Sequence, residues 1–268
     1  MNLINFLIPI VFVLVCTSSL FITDNNTIIS LLTSSIVTVI YGFIQYFVAD
    51  SQSIKDVLLS IITKTKYRNK DIRFSISYLF RIKVGSQYLL VKGNRINQYQ
   101  PVGGVYKFYP GITDSFKKWG IKDDDCIEID DHSKSDLRIR VPGKNVMKFL
   151  KWFRGKTSRE ISANREFIEE LIDTNILPLN HFHKLNYQFV KQIPNSIAYE
   201  KRFNCYQILI ADIYELILND EQEAQLNLLQ SNSSEEYIWA TEDLIRNLGV
   251  VKKANNTKNI SPTAEWIL

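Results

Sequence analysis

Glu166, Glu169 and Glu170 follow Arg165 at a spacing that puts three carboxylates on one face of a helix. Phe167, Ile168, Leu171 and Ile172 take the opposite side as an apolar stripe. Like charges four apart, here Glu166 and Glu170, cost an isolated helix about 0.2–0.5 kcal/mol, a cost that a cation removes. Carboxylate oxygens in this number suit Mg²⁺ or Mn²⁺, hard ions that bridge protein to phosphate. Arg165 reaches Glu169 at i+4 and can hold it in place. The alternative is a solvated helix face on which Glu is simply a good helix former.

A second chemistry lies upstream. Residues 109–136 are rich in Asp and Glu, whereas 137–159 carry Arg138, Arg140, Lys144, Lys148, Lys151, Arg154, Lys156 and Arg159 without a single acid. Such a run suits a ligand with several phosphates; it equally suits a solvated helix or an anionic inner leaflet. Trp152, among Lys148, Lys151 and Arg154, can stack on a base or simply pack. Gly103 and Gly104 permit close backbone approach, which makes Gly103, Gly104, Arg138, Arg140, Lys148, Lys151, Trp152 and Arg154 the candidate ligand contacts. His181 and His183 are two apart, but no third metal ligand is near them, and His132 sits in the acidic stretch. Cys16, Cys126 and Cys205 are too scattered for a disulfide framework or a zinc site, which points to a reducing compartment. No Ser-His-Asp or Cys-His set is recognisable.

The elements that must position these groups follow from periodicity. Alternation over 73–82, the Gly85-Ser86 turn and the run 87–92 predict a hairpin. Further strands are expected over 100–108, 185–193, 203–216 and 237–240, with helices over 158–173, 220–231 and 241–247. Strands on both sides of a central helix predict an α/β/α sandwich with a mixed sheet. The chain has 268 residues, 46% of them hydrophobic and 22% charged, with ten Gly and seven Pro, which excludes disordered and collagen-like classes.

The charge is unevenly placed. Residues 1–49 hold one charged side chain, Asp24, while 50–268 hold 32 basic and 27 acidic ones. Runs 3–22 and 27–49 are uncharged, and roughly 20 residues of helix cross a bilayer core. The short link 24–26 makes them a transmembrane helical hairpin. Ser30, Ser34, Thr38, Tyr41 and Gln45 form a polar seam on the second span, suited to helix–helix packing or to a water-lined assembly of copies. Lys55, Lys64, Lys66, Arg68 and Lys70 follow it and place both termini in the cytoplasm. A cleaved signal peptide fits less well, because a basic leader is missing and a second span follows at once. Residues 50–69 read as an amphipathic connector in which Ile54, Val57, Leu58, Ile61 and Ile62 share a face.

The order Arg-Glu-(apolar)-x-Glu-Glu over 165–170 resembles the second half of the Nudix box. Pro101-Val102-Gly103-Gly104 resembles the strand before that box, and the segment 237–244 resembles the closing strand and helix. Thr157 occupies the earlier Glu position and Ile172 that of the Gly after the double Glu; about fifty residues separate Gly104 from the helix. By this resemblance Glu166, Glu169 and Glu170 bind catalytic Mg²⁺ and Arg165 orients one of them. The layout as a whole (hairpin 1–49, connector 50–69, Nudix-like domain 70–268 with an insertion over 105–156) resembles the SMODS-associated Nudix proteins. That resemblance implies an effector of a bacterial anti-phage cyclic-nucleotide system (CBASS) in the inner membrane. Its partners would be a cyclic oligonucleotide, the lipid bilayer and further copies of itself, with no nucleic acid duplex. The alternative it leaves open is a Mg²⁺-dependent hydrolase of a nucleoside diphosphate derivative.

Overall fold

The computed structural model describes residues 3–48, 51–93, 96–126, 130, 133–193, 196–250 and 257–268. In chain order the elements are α1 (Leu3–Leu20), α2 (Asn26–Val48), α3 (Ile54–Lys64), β1 (Asp71–Arg81), β2 (Lys83–Val84), β3 (Gln87–Lys92), β4 (Tyr99–Gln100) and β5 (Gly103–Val105). There follow α4 (Thr113–Lys118), β6 (Lys122–Asp123), β7 (Arg138–Pro142), α5 (Val146–Arg154) and α6 (Asn164–Phe167), with α6 running into a wider turn over Ile168–Ile172. The chain ends with α7 (Leu179–Phe182), β8 (Tyr187–Ile193), β9 (Ile197–Glu200), β10 (Cys205–Leu216), α8 (Asp220–Ser231), β11 (Tyr237–Thr241) and α9 (Glu242–Arg246). Two compact units emerge: residues 1–70 with 143–154, and residues 71–142 with 155–268.

In the first unit α1 and α2 pack against each other. Asn25 opens α2 by accepting the Thr27 N–H at 3.0 Å. Among the described residues α2 is the helix long and apolar enough to cross a membrane, with a mean hydropathy of 2.0. Part of its seam is satisfied from within: the hydroxyls of Ser34 and Thr38 donate to the carbonyls of Ser30 and Ser34, each at 2.8 Å, so these two need no water. Ser53 caps α3 by accepting the Asp56 N–H at 3.2 Å. Then α5 packs on α3 through Arg154, whose two guanidinium nitrogens grip the Asp56 carboxylate at 2.6 and 2.8 Å. Burial acts to raise the Asp56 carboxyl, but the Arg154 fork and the Gln52 N–H outweigh it and hold it below the usual carboxylate range. Gly143 brings its N–H within 2.9 Å of the Lys70 carbonyl, and a Cβ there would overlap the Tyr67 carbonyl.

The second unit is a mixed α/β domain. Its larger sheet is built on two long parallel strands, β1 and β10, in the register Arg73 with Gln207 through Arg81 with Glu215. Each is flanked by two short antiparallel strands: β7 and then β5 along β1, β9 and then β8 along β10, with β6 outside β7. A smaller sheet runs β11-β3-β2, with β4 also on β3. The even positions of β1 from Ile72 to Phe80 are fully buried. Phe80 meets Phe167 of α6 edge-on at 5.5 Å, which seats the helix of the carboxylates on the sheet.

Several boundaries differ from those expected. The helix foreseen from 158 begins only at Asn164, because residues 158–163 run in extended and turn conformations beside Lys107 and Phe108. Strand β9 was not expected, because at four residues it is too short to show an alternation. The stretch 105–156 is divided: β7 is an integral flank of β1, whereas 143–154 belong with residues 1–70. Asp50, Glu128, Asp131 and His132 lie outside the described residues.

Candidate functional site

A cleft of about 980 Å³ opens in the second unit. Arg165, Glu166, Glu169, Glu170, Gly103, Gly104 and Arg138, all singled out from the sequence, line it together. Two local devices bring the glycines to the glutamates. Gly103 has φ +145°, open only to glycine, and its N–H donates to Glu170 Oε2 at 2.9 Å. A Cβ on Gly104 would overlap the Glu166 carboxylate, so the missing side chain is what admits that carboxylate against β5.

Arg165 is the hub. Its Nε and Nη2 donate to the two oxygens of Glu160 at 3.1 and 3.2 Å. Nη2 also reaches the Val105 carbonyl at 2.9 Å, and Nη1 reaches Glu166 at 2.5 Å and Glu169 at 3.4 Å. Burial opposes its charge; Glu160 and Glu166 outweigh that and hold the guanidinium above its ordinary range. Glu160 is fixed in turn by the Lys107 N–H at 3.2 Å. It was missed in the sequence because, five residues before Arg165, it would fall on another face of the expected helix, whereas the chain is not helical at 160.

The carboxylates sit in a wider-than-α turn. The Asp173 N–H bonds the Ile168 carbonyl at 2.9 Å, five residues back, a π-type turn that recurs at functional sites. Burial pushes Glu166 up, against the pull of Arg165. Burial pushes Glu170 up to about 8, opposed by the Gly103 N–H and reinforced by the charge of Glu166. Desolvated carboxylates that repel one another are the electrostatic setting a hard cation relieves. Glu166, Glu169 and Glu170 are the residues here that could hold a divalent ion. Bound there, such an ion would supply charge neutralisation at phosphate and an activated water.

The rest of the wall is mixed: neutral polar side chains, Asp136 and Asp173, arginines and an aromatic ring, with Arg138 paired to Asp136 at 3.8 Å. Arg73, Arg138, Arg165 and Arg202 are the arginines lining the cleft among the described residues. Phe203, in the turn between β9 and β10, has the Arg73 guanidinium 4.8 Å and the Arg202 guanidinium 5.4 Å from its ring centre. Arg73 is anchored by Asp124 at 2.6 Å and Gln207 at 2.9 Å. Sequence reading passed over Arg73, Arg202 and Phe203, because two strand ends and a turn far apart in the chain converge here.

Not every candidate joins them. Arg140 is engaged with Asp124 at 3.5 Å, Asp125 at 2.6 Å and Cys126 at 2.9 Å. Lys148, Lys151, Trp152 and Arg154 lie on α5 in the first unit and are not among the cleft's walls; Trp152 packs on Phe149 at 5.6 Å. Among the described residues, Asp124, Asp125 and Cys126 are the group whose ligand atoms crowd within 4.8 Å. Arg73 and Arg140 already neutralise that group, and burial pushes the Cys126 thiol up, away from thiolate. His181 meets Glu221 at 3.2 Å and His183 the Asn180 carbonyl at 2.9 Å.

A search of curated proteins returned no match to the chain. The family model described as the SMODS-associated NUDIX domain matches residues 71–268, the whole of the sheet domain together with the α5 segment. With a Nudix domain over that span, its glutamate-bearing helix and its glycine-bearing strand in contact, the chain belongs to the SMODS-associated NUDIX domain family.

Proposed function

We propose that this protein is a membrane-anchored sensor–effector of a bacterial anti-phage cyclic-nucleotide system of the CBASS type. The Nudix-like domain binds a cyclic oligonucleotide in the cytoplasm, copies associate, and the N-terminal hairpin, two-pass in the inner membrane, disrupts the bilayer. The observation that carries this reading is the joining of a SMODS-associated NUDIX domain to α2, a helix long and apolar enough to cross a membrane. The cleft supports it: guanidinium groups of Arg73, Arg138 and Arg202 suit phosphates, the Phe203 ring suits a base, and Glu166, Glu169 and Glu170 would hold Mg²⁺ or Mn²⁺ against the same phosphates. Titrating the full chain in detergent with synthetic cyclic di- and trinucleotides, with light scattering in parallel, tests it. One cyclic compound should bind and raise the particle mass; binding to none of them, or a mass unchanged on binding, rejects the reading.

A Mg²⁺-dependent hydrolase of a nucleoside diphosphate derivative is the second reading. It is favoured by one observation: Arg165 holds Glu166 and Glu169 in a single clamped array beside Glu170. In that case Arg165 orients the carboxylates and the arginine wall seats the phosphates. Chromatography of nucleotides incubated with the chain and Mg²⁺ decides it, because turnover that Glu169→Gln abolishes requires an enzyme and uncleaved nucleotide excludes one.

A further inference from the structure

Helix α3 is inside out for a water-soluble surface. Asp56, Ser60, Thr63 and Lys64 are 3%, 0%, 0% and 8% exposed, whereas Ile54, Leu58, Ile61 and Ile62 are 82%, 55%, 39% and 42% exposed. Three of these four buried polar side chains have local partners, while the Ser60 hydroxyl has none among the described residues. Asp56 is gripped by Arg154, the Thr63 hydroxyl donates to the Leu59 carbonyl at 2.8 Å, and the Lys64 ammonium donates to the Tyr46 carbonyl and lies over the Tyr46 ring. The outward residues recur at four and three, a continuous apolar stripe along the helix. Such a face is unfavourable in water and suited to the boundary between headgroups and acyl chains.

The charge of the unit bears on what it could meet. The first unit holds nine basic and three acidic side chains, and the second holds 23 basic and 25 acidic. The net positive charge of the chain therefore belongs to the unit that contains α2. On α5, Lys148 and Lys151 are exposed three apart and share one face, and Lys144 is exposed in the turn just before the helix. The Arg154–Asp56 fork fixes α5 on α3. The basic run that sequence reading offered to a soluble ligand is thus built into the apolar, membrane-proximal unit.

We propose that α3 and α5 form an interfacial platform that docks on an anionic lipid surface, the α3 stripe entering the headgroup boundary and the α5 lysines meeting lipid phosphates. This rests on the membrane reading of α2 and is independent of what the Nudix cleft binds. Lysines near an anionic leaflet each strengthen such contact, and α3 begins a few residues after the end of α2, which leaves it little reach away from the bilayer.

Amide hydrogen exchange of the full chain in lipid nanodiscs tests the platform, with discs of phosphatidylcholine alone or with added phosphatidylglycerol. Exchange over residues 54–64 and 146–154 should slow about tenfold in the anionic discs, with α2 equally protected in both. Combined Lys144→Glu, Lys148→Glu and Lys151→Glu should remove the difference, while Lys144→Arg, Lys148→Arg and Lys151→Arg should keep it. Equal exchange in both discs overturns the proposal with the membrane reading intact. Protection that follows the number of copies per disc instead of lipid charge assigns the face to a second copy and also overturns it. A chain that stays soluble without discs or detergent defeats the membrane reading itself.

Discussion

Arg165 and Glu160 are joined by two parallel hydrogen bonds of 3.1 and 3.2 Å, with Glu160 outside the helix that carries Arg165. This fork lets one guanidinium hold the strand-like segment before α6 and the glutamates of the cleft at once. Breaking a buried ion pair from one side costs about 3–5 kcal/mol. Arg165 keeps Glu166 and Glu169, so Glu160→Gln should cost about 2 kcal/mol and lower Tm by roughly 4–8 °C. Thermal melts of the full chain in detergent check it, and an unchanged Tm means that the fork does not hold the site.

The two glycines of β5 predict different failures. Gly103→Ala forces a side chain onto φ +145° and against the Tyr78 carbonyl, a strain of about 1–3 kcal/mol or more. It should appear in a denaturant midpoint. Gly104→Ala puts a methyl group where the Glu166 carboxylate lies. Mn²⁺ affinity, read by electron spin resonance, should fall by about tenfold or more, with a smaller change in midpoint than Gly103→Ala gives.

Much of this site was legible because local physics spells it. The alternation of 73–82 reports a strand with one face fully buried, and observed β1 is Asp71–Arg81. Asn219 and Gln222 form a capping box, so α8 begins where its sequence puts it. The spacing of Glu166, Glu169 and Glu170 predicts a shared face, and all three line the cleft. The rest depends on tertiary contact. Glu160 matters only because Lys107 holds its carboxylate beside Arg165. Phe203 meets Arg73 only when β1 and β10 pair in parallel. Lys148 and Lys151 read as ligand contacts because nothing in composition says that Arg154 reaches back 98 residues to Asp56.

The titration of Glu170 carries a sign. Burial raises its carboxyl from 4.5 to about 8, so the folded chain holds this proton more tightly than the unfolded one does. The resulting stability is complete below the unfolded value and is lost as pH rises through about 8. Without divalent metal, the urea midpoint should fall between about pH 5 and 8. With Mg²⁺ the order reverses, because the ion takes the deprotonated carboxylate and its affinity drops as pH falls below about 8. Glu170→Gln should flatten both profiles; profiles unchanged in that variant contradict the assignment.

Phe203→Ala should weaken binding of the cyclic nucleotide by roughly five- to a hundredfold, the worth of one base stack of about 1–3 kcal/mol. The residue lies in a turn, so the melting temperature should barely move. Calorimetric titration of variant and parent reads both quantities, and equal affinities would take the base away from this turn.

Dye release from sealed vesicles carrying the full chain tests most directly the claim that a cyclic nucleotide in the Nudix cleft acts on the bilayer. The cyclic compound that binds should empty the vesicles, and combined Arg138→Glu and Arg202→Glu should abolish both binding and release. Vesicles that stay sealed at saturating ligand, or that leak equally with and without it, would contradict the account.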